Sequence, residues 1–153
     1  MAKMIHSMIR VLREDRALAF YRAAFGLEIA DRVDFSEFSL IYLGNGDSEF
    51  ELELTVNRGR ETPYDPGDGY GQLAVSVDNL EESHAQMTDA GLSPGDIVEF
   101  APDGAIVARF FFITDPDGYQ IEVLERGGRF AMEAGWVELA ARTGALAVRM
   151  EGW

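Results

Sequence analysis

At 153 residues the chain is long enough to bury one sizeable core, and its 47% apolar content with ten Phe and five Tyr marks a packed rather than a disordered protein. Thirteen basic against 27 acidic residues give a net charge of -14, which repels phosphate backbones and anionic membrane surfaces, so no nucleic-acid or membrane partner is expected. With no cysteine there are no disulfides, thiolate metal sites or cysteine nucleophiles, and charges interrupt the opening MAKMIHSMIRVLRED before any signal-like stretch; a cytoplasmic protein is expected.

From the N-terminus, His6 to Leu12 alternates as a strand. Ala17, Leu18, Phe20, Tyr21, Ala24 and Phe25 then have helical spacing, with Glu14 or Asp15 as a possible cap and Gly26 as a left-handed stop. LEIADRVDF, FSLIYLG and FELELTV follow as strands, with a turn at NGDS before the third. Residues 58–69, rich in Gly, Pro and acidic groups and without periodicity, suit a linker.

The pattern then repeats. QLAVSVDNLEESHAQMTDAGL, residues 72–92, lies on HSMIRVLREDRALAFYRAAFGL, residues 6–27, with one residue of slack. Leu73 to Val77 is the strand, Asp78 or Asn79 caps, and Leu80, Ala85, Met87 and Ala90 support a helix stopping at Gly91. DIVEF, AIVARFFFIT and YQIEVLE supply three more strands, with DPDG as the turn before the last. The expected fold is therefore α+β, two tandem βαβββ modules at residues 4–57 and 70–126 of a domain spanning 1–126. Residues 127–153 form an extension, in which EAGWVELAARTGALAVRM has the spacing of an added helix.

Strand alternation sorts the polar residues by face. Glu51, Glu53, Thr55 and Asn57 oppose Phe50, Leu52, Leu54 and Val56, and Gln120 and Glu122 oppose Tyr119, Ile121 and Val123. In the leading strands His6, Met8 and Arg10 share one face, matched by Gln72, Ala74 and Ser76. Singly, an N-terminal His or a strand Glu has ordinary explanations in packing and solvation. A repeat that twice places an imidazole or amide beside a carboxylate collects four donors: His6, Glu53, Gln72 and Glu122. Such a set suits a borderline or hard divalent ion such as Ni, Co, Zn or Mn.

HSMIRV, ELELTVNRG, GYGQLAVSVDN and DPDGYQIEVLE, in this order and spacing, resemble glyoxalase I of the vicinal-oxygen-chelate superfamily, over about residues 4–126. The resemblance implies isomerisation of the hemithioacetal of methylglyoxal and glutathione to a 2-hydroxyacyl thioester, with one divalent metal per site (Ni, Co or Zn) and a homodimer. It places His6, Glu53 and Glu122 on metal-ligand positions and Gln72 on the remaining one, which is His in the shorter, nickel-preferring members. Glu122 is then the catalytic base, Glu53 a ligand and its possible partner, and Arg10 and Asn57 contact the γ-glutamyl end of glutathione. One departure is a loop that in the family carries Lys-Gly-Gly for the glycyl carboxylate. Here it reads FAPDGAIVARF, with Asp103 and no Lys, and Arg109 is the nearest substitute. The alternatives are another enolate-type enzyme of the superfamily, epimerase-like, and a metal-free binding or resistance protein. A two-His iron site is disfavoured because the other histidine, His84, falls in the second helix.

Overall fold

The computed structural model describes residues 1–127. The elements run β1 (His6–Arg10), α1 (Glu14–Phe25), β2 (Glu28–Asp34), β3 (Phe38–Gly44), β4 (Glu51–Asn57), β5 (Leu73–Val77), α2 (Leu80–Asp89), β6 (Val98–Phe100), β7 (Ala108–Thr114) and β8 (Gln120–Glu125). Two four-stranded sheets result, ordered β1-β4-β3-β2 and β5-β8-β7-β6, the same order twice. In each, the leading strand lies parallel to the last and the remaining pairs are antiparallel. The duplication read from the sequence is therefore a duplication of fold. The helix expected over 133–150 lies outside the described residues, among which no helix is long and apolar enough to cross a membrane.

The helix ends differ from expectation in one respect. Neither Glu14 nor Asp15 caps α1: Arg13 holds the N-cap position without a side-chain hydrogen bond, and the two acids occupy the first turn, where they favour the positive end of the helix dipole. Gly26 closes the helix at φ 62°, with Leu27 N–H donating to the Tyr21 carbonyl at 3.3 Å. In α2 the Asn79 side chain accepts from Glu82 N–H at 3.0 Å, an ordinary N-cap.

Each sheet turns one face to its helix and the other outward. Ile41, Leu52, Leu54, Phe111, Ile121 and Val123 face inward and are at most 4% exposed. They join Phe20, Tyr21 and Leu80 from the helices in a single cluster. Burial of this kind yields on the order of 25 cal/mol per Å² of apolar surface.

The DPDG turn clasps the two modules together. Asp115 is 4% exposed and accepts from Tyr21 Oη at 2.9 Å, and through its other oxygen from the Asp117 and Tyr119 amides, both at 2.9 Å. Asp117 accepts from Leu12 N–H at 2.8 Å, and Tyr119 Oη donates to the Arg10 carbonyl at 3.0 Å. Burial raises the Asp115 carboxyl above its usual range in spite of these donors, and burial beside Asp115 raises the Tyr21 phenol. The turn residues thus fix β1 against the start of β8.

Candidate functional site

The outward face of the first sheet carries the first donor pair. β1 and β4 run parallel with His6 opposite Glu51 and Met8 opposite Glu53, so His6 reaches Glu53 diagonally. Its Nε2 lies 3.2 Å from Glu53 Oε2. Glu53, on the inner strand β4, is a carboxylate only 7% exposed; Thr55 Oγ1, on the same face, donates to its other oxygen at 3.3 Å. Tyr42 stands opposite Glu53 on β3 and meets the His6 ring edge-on, centroids 5.7 Å apart. Burial, then the Glu53 carboxylate beside it, raises the Tyr42 phenol above its usual range. The arm is braced from three sides.

The second sheet repeats the arrangement with less support. Gln72 immediately precedes β5, and Glu122 pairs with Ala74 across β8. Gln72 Nε2 donates to Glu122 Oε2 at 2.7 Å, which leaves the amide oxygen unengaged by Glu122. Gln72 is exposed and Glu122 half-buried, with Phe112 as its cross-strand neighbour on β7.

Sequence parity anticipated four donors gathered together, and within one chain the structure gathers them two by two. Among the described residues no cluster of three or more His, Cys, Asp or Glu side chains forms. Each pair lies on an open sheet face beside apolar side chains: Met8, Val33 and Phe35 on the first sheet, Val98 and Phe100 on the second, each 40–46% exposed. In chemistry the donors fit a divalent ion. An imidazole nitrogen, two carboxylates and an amide oxygen make a mixed nitrogen and oxygen set with no soft ligand, as borderline ions prefer.

Arg10 shares the outward face with His6 and Met8, and among the described residues it forms no ion pair. Asn57 ends β4 and donates through Nδ2 to Tyr64 Oη at 2.7 Å. Arg109 does not reach this side. It projects with Phe111 and Ile113 toward α2, where Glu81, Glu99 (3.4 Å) and Glu125 (3.0 Å) enclose its guanidinium. Glu81, then Glu125, raises it above its ordinary range. It cannot compensate for the missing lysine, and Asp103 sits in the exposed β6–β7 connection. His84 meets the Gly95 carbonyl at 2.9 Å and the edge of Phe111, a packing role.

Neither Thr55 nor Tyr42 is among the candidate site residues of the sequence, although parity already places Thr55 on the face of Glu53, two residues away. Tyr64 had no such signal, since it lies in the aperiodic segment between the modules.

Comparison with known proteins places these features in context. The Glyoxalase/Bleomycin resistance protein/Dioxygenase superfamily matches residues 3–123. The chain is 35% identical over 129 residues to a lactoylglutathione lyase of Neisseria meningitidis, covering 81% of this chain and 91% of that one. It is 35% identical over 128 residues to the Salmonella typhimurium lactoylglutathione lyase, with 80% and 92% covered. Among solved structures, the trypanothione-dependent glyoxalase I of Leishmania major superposes with a TM-score of 0.70 at 31% identity, covering 95% of this chain and 100% of that one.

Proposed function

The chain belongs to the Glyoxalase/Bleomycin resistance protein/Dioxygenase superfamily, and from that premise we propose that it acts as a metal-dependent glyoxalase I. Its substrate is the hemithioacetal of methylglyoxal and glutathione, and its product a 2-hydroxyacyl-glutathione thioester. The observation that carries the reading is the pair of equivalent donor couples, His6 with Glu53 and Gln72 with Glu122, on the outward faces of a duplicated sheet.

His6, Glu53, Gln72 and Glu122 would hold one divalent ion, Ni, Co or Zn. When bound, such an ion supplies Lewis-acid stabilisation of the charge that develops on the substrate oxygens. The rest falls to the chain's own groups. Glu122, half-buried and tied among the described residues to Gln72 alone, has the freedom to take the carbon-bound proton beside the carbonyl and return it to the adjacent carbon. Glu53, hemmed in by His6 and Thr55, keeps its place as a ligand and faces the substrate from the opposite side. Arg10 offers a planar fork to a carboxylate at the γ-glutamyl end, and Asn57 adds an amide beside it.

Because one chain brings the donors together only in pairs, we assign the complete site to a homodimer, the first sheet of one copy facing the second sheet of the other. The exposed apolar side chains beside each pair favour this, since patches of that kind mark surfaces that meet a partner. A neighbouring reaction of the superfamily, epimerase-like, draws support from one feature. Among the described residues, Asp103 and the enclosed Arg109 leave no basic side chain free at the β6–β7 hairpin for a glycyl carboxylate. Incubating the metal-loaded protein with the preformed hemithioacetal and following thioester formation separates the two. Glyoxalase chemistry predicts turnover that chelation abolishes and Ni, Co or Zn restores; thioester formation that survives exhaustive chelation contradicts the metal mechanism.

A further inference from the structure

The duplicated sheet allows the two carboxylates to be compared neighbour by neighbour. Glu53 faces Tyr42 across the β3–β4 pair, and Glu122 faces Phe112 across the β7–β8 pair. Two residues further along each inner strand stand Thr55 after Glu53 and Leu124 after Glu122. At both equivalent places the first sheet carries a hydroxyl and the second a hydrocarbon. Thr55 Oγ1 donates to Glu53 Oε1 at 3.3 Å, and the Tyr42 hydroxyl lies beside the same carboxylate, its ring set edge-on to His6 at 5.7 Å between centroids. Phe112 and Leu124 have nothing to donate. Gln72 takes Glu122 Oε2 at 2.7 Å, and among the described residues Glu122 Oε1 has no partner.

A hydroxyl that donates to a carboxylate orients it and occupies a lone pair that a migrating proton needs. Adding or removing one such donor therefore changes which of two carboxylates is free to turn and take a proton. In the glyoxalase reading, on which this inference rests, Glu53 and Glu122 face the substrate from opposite sides. There the C–H bond at the thiol-bearing carbon breaks, and its proton passes to a carboxylate oxygen while the electron pair stays on the substrate. The same proton then bonds to the neighbouring carbon, and nothing else is consumed or released. That carbon is planar when the proton returns, so the side of arrival fixes the configuration of the 2-hydroxyacyl product. We propose that Tyr42 is a positioning residue that holds Glu53 as a fixed ligand while Phe112 leaves Glu122 mobile, and that this difference of one hydroxyl sets the handedness of the product.

The test moves the hydroxyl from one sheet to the other with Tyr42→Phe, Phe112→Tyr and the two combined. Metal affinity is read by competition with a chromophoric chelator, and the configuration of the 2-hydroxy acid, after hydrolysis of the thioester, by chiral chromatography. The unmodified protein should give a single configuration. Tyr42→Phe should weaken metal binding by about tenfold, the scale of losing a group that orients a ligand. Phe112→Tyr should slow turnover by about tenfold, because a hydrogen bond to a charged group must break before Glu122 moves. The double variant should release both configurations, an outcome that a mere packing role for Tyr42 does not produce. A single configuration from the double variant overturns the control of handedness, and unchanged metal affinity in Tyr42→Phe overturns the hold on Glu53. If the unmodified protein forms no thioester, the glyoxalase reading fails by itself, and the metal-binding arm still decides whether Tyr42 holds Glu53.

Discussion

The two donor pairs occupy equivalent places in a duplicated fold and are supported very differently. Glu53 is 7% exposed on an inner strand, with His6, Thr55 and Tyr42 around it. Glu122 stands on the equivalent strand of the second sheet, half-buried, with a single side-chain bond among the described residues, to an exposed glutamine. Duplication conserves where a side chain points, since that follows from strand parity; it does not conserve what packs around it. A braced carboxylate is suited to holding an ion, and a looser one to leaving it, taking a proton and returning.

The sharpest way to break this contrast is to neutralise the loose arm. Glu122→Gln keeps an oxygen donor of similar size and removes the proposed base, so turnover should fall by about two to four orders of magnitude while bound metal, measured by elemental analysis, largely remains. An undiminished rate would mean that the proton moves through another group. On the braced arm the corresponding change is indirect. Thr55→Val removes the hydroxyl that orients Glu53 without touching the ligand set, and metal affinity, read by competition with a chromophoric chelator, should weaken by about 10- to 100-fold, the usual effect of losing such a partner.

Gln72→His gives the second pair an imidazole like the first. It should keep the fold and shift relative activity among Ni, Co and Zn several-fold, checked by reconstituting apo-protein with each metal in turn. An unchanged metal profile would mean Gln72 is not a ligand. The smallest kinetic effect belongs to a residue remote from both pairs. Tyr21→Phe deletes a donor to the buried Asp115 and should cost about 1–3 kcal/mol of stability in urea unfolding, with turnover of the surviving folded enzyme close to normal.

Much of this could be read in the chain before any coordinates. The repeat of residues 6–27 in 72–92 dictated two like sheets, and period-two alternation put His6 with Glu53 and Gln72 with Glu122 on outward faces. Alternation fails where both faces are apolar. In VARFFF nothing distinguishes the sides, so Arg109 passed for a substrate contact when three carboxylates enclose it on the helix face. At α1 the acids looked like a cap because cap and first-turn preferences overlap, and only the backbone at Arg13 decides between them. The Tyr64–Asn57 bond and the Tyr21–Asp115 clasp join residues 7 and 94 positions apart through loop and turn geometry, which hydrophobic periodicity does not encode.

Whether one catalytic site is built from the first sheet of one copy and the second sheet of another is tested by mixing two inactive proteins. His6→Ala disables only the first pair and Glu122→Gln only the second. After co-refolding the two in equal amounts, mixed dimers should contain one intact site each, so thioester formation should recover to about a quarter of the wild-type rate by random pairing. Activity no greater than the sum of the two separate variants would contradict a site shared between chains.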